Sequence, residues 1–173
     1  MVSTRGRYAI RVMLDLAEHG ADGYIPIKEV AARQEISQKY LERILPLLTK
    51  GHLIEGVHGK GGGYRLCRMP QEYSIGEILR ATEDDLAPVA CLSGGSCDCS
   101  RAQGCRTLPM WQEYYRMTNA YFDGIKLSDL MHGNVSAADP WSLVIFLSDF
   151  YFCACKKLSV VLQWCRRKTR KAR

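Results

Sequence analysis

No apolar run at the N-terminus leads to a cleavage site, so no secretory signal is read and a cytoplasmic protein is expected. No apolar stretch runs uninterrupted for the roughly twenty residues that a bilayer span needs. The strongest, Trp141 to Cys155, is broken by Asp149, and extending it to Cys165 admits Lys156 and Lys157. The glycine-rich stretch His58 to Gly63 lacks the GxxxxGK[ST] pattern and leads into a strand-like segment, which argues against a P-loop or dinucleotide fold. The C-x-x-C pair that a thiol redox enzyme would need is missing. So are the C-x2–4-C pairs usual in structural zinc sites. A global basic excess is missing too. Residues 1–132 hold 16 Lys/Arg against 16 Asp/Glu, and the formal charge of +6 comes wholly from residues 133–173, with 8 against 2.

What remains is a chain of 173 residues, 47% apolar, enough for one domain with a real core and an appended tail. Ile36 to Leu66 organises it. Tyr40, Leu41, Ile44, Leu45, Leu47 and Leu48 suit one face of a helix, with Ser37 at the N-cap position and Gly51 where a helix stops. Leu53 to Val57 and Gly63 to Leu66 then read as a hairpin with a glycine-rich tip. Locally the charge is basic. Residues 33–68 carry seven Lys/Arg against three Glu, a modest patch of the kind DNA-binding faces carry. A short helix exposing Gln38, Lys39 and Arg43, followed at once by a basic hairpin, is the layout of a winged helix-turn-helix. Its helix would enter a major groove, and its tip would follow the backbone or the minor groove.

The flanking segments fit that layout. Ser3 to His19 predicts a buried helix stopping at Gly20, and Ile25 to Ala32 a second, with Pro26 in its first turn. Arg5, Arg7 and Arg11 form either a solvated face or a phosphate contact, and basic residues at a helix start oppose its dipole and need a partner. Pro46 predicts a kink or an early end inside the recognition helix. Ser74 and Glu77 have the capping-box spacing, ahead of inward-packing Ile75, Ile78 and Leu79.

Four of the eight cysteines lie between Cys91 and Cys105, spaced C-x5-C-x-C-x5-C, among Gly94, Gly95 and Gly104. Glycines let such a loop wrap so that thiolates converge. Soft thiolates select zinc, Cu(I) or iron–sulfur clusters. A cluster, a zinc site and a redox disulfide all stay open on spacing, with metal of some kind favoured. In Leu108 to Phe122, Met110, Trp111, Tyr114, Met117, Thr118 and Tyr121 recur at helical spacing. They predict core packing or, alternatively, the interface of a symmetric dimer, which would match two-fold operator DNA. Lys126 to Met131 reads as one more short helix.

Taken in order, these segments resemble the winged helix-turn-helix transcriptional regulators that include IscR, NsrR and CymR. YAIRVMLDLA, ISQKYLERIL, HGKGGGYRL and CRTLPMW carry the resemblance, which covers about Met1 to Met131. It implies a mainly α fold with a small β-hairpin: a DNA-binding domain over 1–82, a cysteine-rich loop over 83–107, a dimerisation helix region over 108–131 and an unassigned apolar and basic tail over 132–173. It also implies a homodimer on double-stranded DNA, and in several members a [2Fe–2S] or [4Fe–4S] cluster on three cysteines. Matched by position, Cys91, Cys99 and Cys105 are the implied ligands, with Cys97 as alternate or fourth. The His that some members place just after the last cysteine is absent from Arg106, Thr107 and Leu108, and Arg7 stands where others have Asp. The expected DNA contacts are Arg5, Lys28, Gln38, Lys39, Tyr40, Glu42, Arg43, His58, Lys60, Gly61 and Gly62. Glu42 matches a recognition-helix Glu that accepts from a cytosine amine, and His58 stands where members often carry Arg. A zinc-stabilised or metal-free regulator, controlled by a partner protein or thiol oxidation, is the alternative. The tail admits a packing helix or a membrane-surface contact.

Overall fold

In the computed structural model, residues 2–20, 23–59, 61–83, 85–95, 97 and 99–135 are described. The expectations for Lys60 and for the tail from residue 136 onward lie outside them. No helix among the described residues is long and apolar enough to cross a membrane.

Helix α1, Thr4–His19, begins at Ser3, whose Oγ accepts the N–H groups of Arg5 and Gly6. Its inner face, Ala9, Val12, Met13 and Leu16, is buried. Helices α2, Ile27–Gln34, and α3, Gln38–Lys50, meet at Glu35, which sits in the left-handed region at φ 53°. That conformation costs about 1 kcal/mol for a residue with a Cβ. It lets the Glu35 N–H close onto the Ala31 carbonyl and drops Ile36 into the core. The Asp15 carboxylate of α1, wholly buried, ties the pair down. It accepts from Arg33 at 2.8 and 3.0 Å and from Gln34 at 3.0 Å.

Two expectations need correcting here. The second helix does not begin at Ile25. A residue before proline is pushed out of the α region, and Ile25 instead pairs its backbone with Tyr64, 2.9 Å in each direction. Pro26 is the residue outside the helix. Nor does Pro46 end α3, which runs on to Lys50. A proline inside a helix costs about 3 kcal/mol. The turn beyond it buries Leu48 completely and Leu47 in part, together contributing about 3 kcal/mol, and Thr49 Oγ1 donates to the Leu45 carbonyl at 3.0 Å. Continuing the helix therefore wins.

Strands β1, Ile54–Val57, and β2, Gly63–Leu66, form the antiparallel hairpin, in register Ile54 to Leu66 and Val57 to Gly63. Gly63 is needed for close approach, since a Cβ there would meet the Ile25 carbonyl. Tyr73, fully buried, donates its hydroxyl to Leu53 O and accepts the Arg68 N–H, fixing the hairpin's base to the core. Helix α4, Ile75–Glu83, packs across α1 and α3. Ser74 Oγ accepts the Glu77 N–H at 3.1 Å as predicted, but the Glu77 carboxylate is drawn to Arg68 at 2.6 Å, so the other half of the capping box does not form. Helix α5, Leu108–Gly124, lies on α4, and the short α6, Leu127–Met131, closes onto α1.

Candidate nucleic-acid interface and thiol loop

Burial of Leu41, Ile44, Leu45 and Leu48 leaves the other side of α3 to solvent. Gln38, Lys39, Glu42 and Arg43 are exposed there, and Tyr40 is half-buried. Gln38 Nε2 donates to Glu42 Oε1 at 3.3 Å. Glu42, whose i+4 position is Pro46, is thus held by a neutral neighbour one turn earlier. Lys28 is exposed in the first turn of α2, apart from that row. His58 and Gly61 are exposed on the wing, and Gly62 is half-buried. Gly59 and Gly61 carry φ of 108° and 81°, and a Cβ on Gly62 would meet Val57 O, so this turn suits glycine. His58 shares a cleft with Thr49 and Lys50 of α3 and Tyr64 of β2, which sets the wing beside the recognition helix.

The three arginines of α1 divide. Arg11 is committed to Gln34, bonding its side chain and carbonyl, and lies over the Tyr8 ring. Arg7 bonds Thr4. Arg5 faces a cleft with Tyr40 and Arg43 of α3, so α1 and the recognition helix present cations together. Its Nε is buried and without a hydrogen-bond partner. The helix start still needs a counter-charge, for its first turn has no acidic residue. Glu83, at the end of α4, supplies it: Oε1 accepts the Gly6 N–H at 2.8 Å and the Ser3 hydroxyl at 2.5 Å. Nothing in the local pattern of either helix signalled that pairing.

Cys91, Cys97, Cys99 and Cys105 are all partly exposed, on a loop with two short 3-10 turns, Ala90–Gly95 and Ala102–Gly104. Burial, then repulsion from Cys97 and Cys99, pushes the Cys91 thiol up. The Thr107 hydroxyl, 3.4 Å from the sulfur, and the Thr107 N–H hold Cys105 below the ordinary thiol range. This donor set has the chemistry of a soft metal centre: four partly exposed sulfurs on one loop, with the Thr107 hydroxyl beside that of Cys105. Among the described residues, however, no three His, Cys, Asp or Glu side chains gather closely enough to hold an ion. Ligation would need further closure of the loop.

The aromatic stripe of α5 is not core. Met110, Tyr114, Met117 and Tyr121 are each more than half exposed, at the four-three spacing of a helical seam. Tyr115 and Phe122 form the inner face instead. The base of the thiol loop is tied to that inner face by Asp85, a residue the motifs passed over. Its carboxylate accepts the Tyr115 hydroxyl at 2.7 Å, the Gly94 N–H at 3.1 Å and the Ala87 N–H at 3.0 Å. Burial pushes Asp85 up, but these donors outweigh it and hold the carboxyl below its usual range.

Comparison with known proteins points one way. The family model described as "Rrf2: Iron-dependent Transcriptional regulator" matches residues 2–133. The HTH-type transcriptional regulator IscR of Aliivibrio salmonicida is 35% identical over 133 residues, which are 77% of this chain and 78% of that protein. Protein rrf2 of Nitratidesulfovibrio vulgaris is 36% identical over 130 residues, 75% of this chain and 86% of that protein. Among solved structures, CymR, the global cysteine regulator of B. subtilis, superposes with a TM-score of 0.63 at 28% identity, covering 76% of this chain and 96% of its own. IscR of T. potens gives 0.58 at 29%, covering 83% and 96%.

Proposed function

We propose, from the premise that this chain belongs to the Rrf2 family of transcriptional regulators, that it grips DNA as a cytoplasmic homodimer under the control of an iron–sulfur cluster. Regulators of this family bind DNA and commonly dimerise. The observation that carries the sensing half is the loop of four partly exposed thiols within fifteen residues, in a chain whose recognition helix and wing stand side by side.

Gln38, Lys39, Tyr40, Glu42 and Arg43 would meet a major groove. There Glu42 accepts from a cytosine amine, and Arg43 and Arg5 take backbone phosphate. Lys28 would add a further phosphate contact. His58, Lys60, Gly61 and Gly62 would follow the backbone at the wing, where His58 stands in place of the arginine that suits a narrow groove. The exposed seam of α5 would join two copies, matching the two-fold symmetry of operator DNA.

Cys91, Cys99 and Cys105 would hold the cluster, with Cys97 as alternate or fourth ligand. When bound, the cluster supplies a redox-active iron centre whose potential follows its charge, hydrogen bonding and exposure. The Thr107 hydroxyl favours thiolate at Cys105, and the partial exposure of all four sulfurs leaves the site open to small oxidants. Protein purified without oxygen is expected to be brown, to contain iron and inorganic sulfide, and to bind duplex DNA with a steep salt dependence. Colourless protein free of sulfide overturns the cluster. A second reading draws on the absence of three converged donors among the described residues. It is a zinc-stabilised or metal-free regulator governed by a partner or by thiol oxidation, and zinc or no metal on analysis would favour it.

A further inference from the structure

The segment between α4 and the thiol loop carries two carboxylates that DNA contact and metal binding leave unused. Glu83 is the last residue of α4, and the Asp85 N–H donates to the Glu83 carbonyl at 2.7 Å. Their side chains serve different parts of the molecule. Glu83 holds the first turn of α1 through Ser3 and Gly6, beside the cleft where Arg5 faces Arg43. Asp85 holds Gly94, three residues beyond Cys91, and the Tyr115 hydroxyl on α5. Leu86, 5% exposed, seats the segment on the core beside them.

We propose that Asp85 is the positioning residue that couples the thiol loop to the DNA-facing start of α1, by clamping Gly94 and Tyr115 next to the Glu83 that caps α1. This rests on the sensing role proposed above. Among the described residues no three donors are gathered, so bringing Cys91 to Cys99 and Cys105 rearranges the loop between them, and the turn containing Gly94 lies within it. Bonds to a carboxylate are about twice as strong as neutral ones, so Asp85 follows Gly94 more readily than it releases it. With Leu86 anchored, the segment turns about that point, and Glu83 shifts against Ser3 and Gly6. A tight fit makes the shift felt: a Cβ on Gly6 would already meet Glu83 Oε1. The change reaches Arg5 through the backbone it belongs to.

The test uses the full chain, kept without oxygen, with iron and sulfide either reconstituted or removed by a chelator. The probe is a duplex enriched from a random pool by the wild-type protein. Loading is expected to change wild-type DNA affinity by about tenfold, the middle of the usual coupling range. Asp85→Asn is expected to bring that factor within about twofold of unity, with the visible absorption of the loaded protein retained. Tyr115→Phe, which loses one hydroxyl and little else, is expected to cut the factor by about threefold or more, and it keeps the test decisive if Asp85→Asn folds poorly. Amide hydrogen exchange gives a readout that a structural role would not move. Loading alters protection at both Gly94 and Gly6 in the wild type, and at Gly94 alone in Asp85→Asn. A wild-type-sized factor in the variants, with spectra intact, overturns the coupling and leaves the sensor standing. A wild-type factor of one overturns both.

Discussion

At the scale of single residues, buried charge decides more than exposed charge. Asp15 is wholly inside, and Arg33, with a side chain 30% exposed, reaches it through two bonds. Burial pushes the Asp15 carboxyl up, but the bonds from Arg33 and Gln34 win and hold it below the usual carboxylate range. A depressed folded-state value gives stability that is present above the unfolded pKa of about 4 and is lost as the pH falls through the folded value. The urea midpoint of the wild type is therefore expected to fall on the acid side of about pH 4. Arg33→Ala is expected to cost about 2 kcal/mol near neutral pH, because it strands a buried carboxylate. It should also remove Asp15's share of the acid-side decline, since an Asp15 without Arg33 prefers its proton, and leave the share of Asp85 in place. A variant as stable as wild type would show that the pair carries no stability. The residues proposed to face DNA act differently. Arg43→Ala is expected to weaken binding evenly across sequences and to lower the salt slope by about one. Glu42→Ala is expected to relax the base preference at one position by about 1–3 kcal/mol. Titrations against duplexes varied at one base pair, at several salt concentrations, separate the two effects.

At the scale of elements, local signals and distant ones part company. The helix starts at Ser3 and Ser37, the stops at Gly20 and Gly51, and the glycine turn of the wing were all legible, because capping and turn chemistry depend on near neighbours in the chain. The pairing of Ile25 with Tyr64 was not, since its partner lies in another element. Gly63→Ala is expected to cost about 2 kcal/mol by forcing that pair apart, as overpacking does. It should loosen the wing before the core, seen as faster hydrogen exchange at Ile25 and Tyr64 than at Leu48. Of the kink or early end expected at Pro46, the early end does not occur, because the local rule gives the cost and is silent about the burial beyond it. In α5 the spacing of Met110, Tyr114, Met117 and Tyr121 was visible, but which side faces the core depends on where α4 lies. Replacing Tyr114 and Met117 together by Glu is expected to turn a dimer into a folded monomer in sedimentation experiments, and a dimer that survives both changes is built on another surface.

At the scale of the whole molecule, three contacts lie along the coupling route proposed above. The thiol loop meets α5 at Asp85, α4 meets α1 at Glu83, and α1 meets the recognition helix where Arg5 faces Arg43. The ends of that route could be read from the sequence, because cysteine spacing and a Ser-capped amphipathic helix are local patterns. Its middle could not, because Glu83 and Asp85 look like ordinary acidic residues until the fold brings Ser3, Gly6, Gly94 and Tyr115 to them. The most direct measurement of the central claim is the affinity for one DNA duplex, taken without oxygen alongside iron and sulfide content. It compares the wild type with a variant carrying Cys91→Ser, Cys99→Ser and Cys105→Ser. The account predicts iron and sulfide in the wild type, neither in the variant, and affinities that differ by about fivefold or more. Equal affinities, or a wild type without iron, would contradict it.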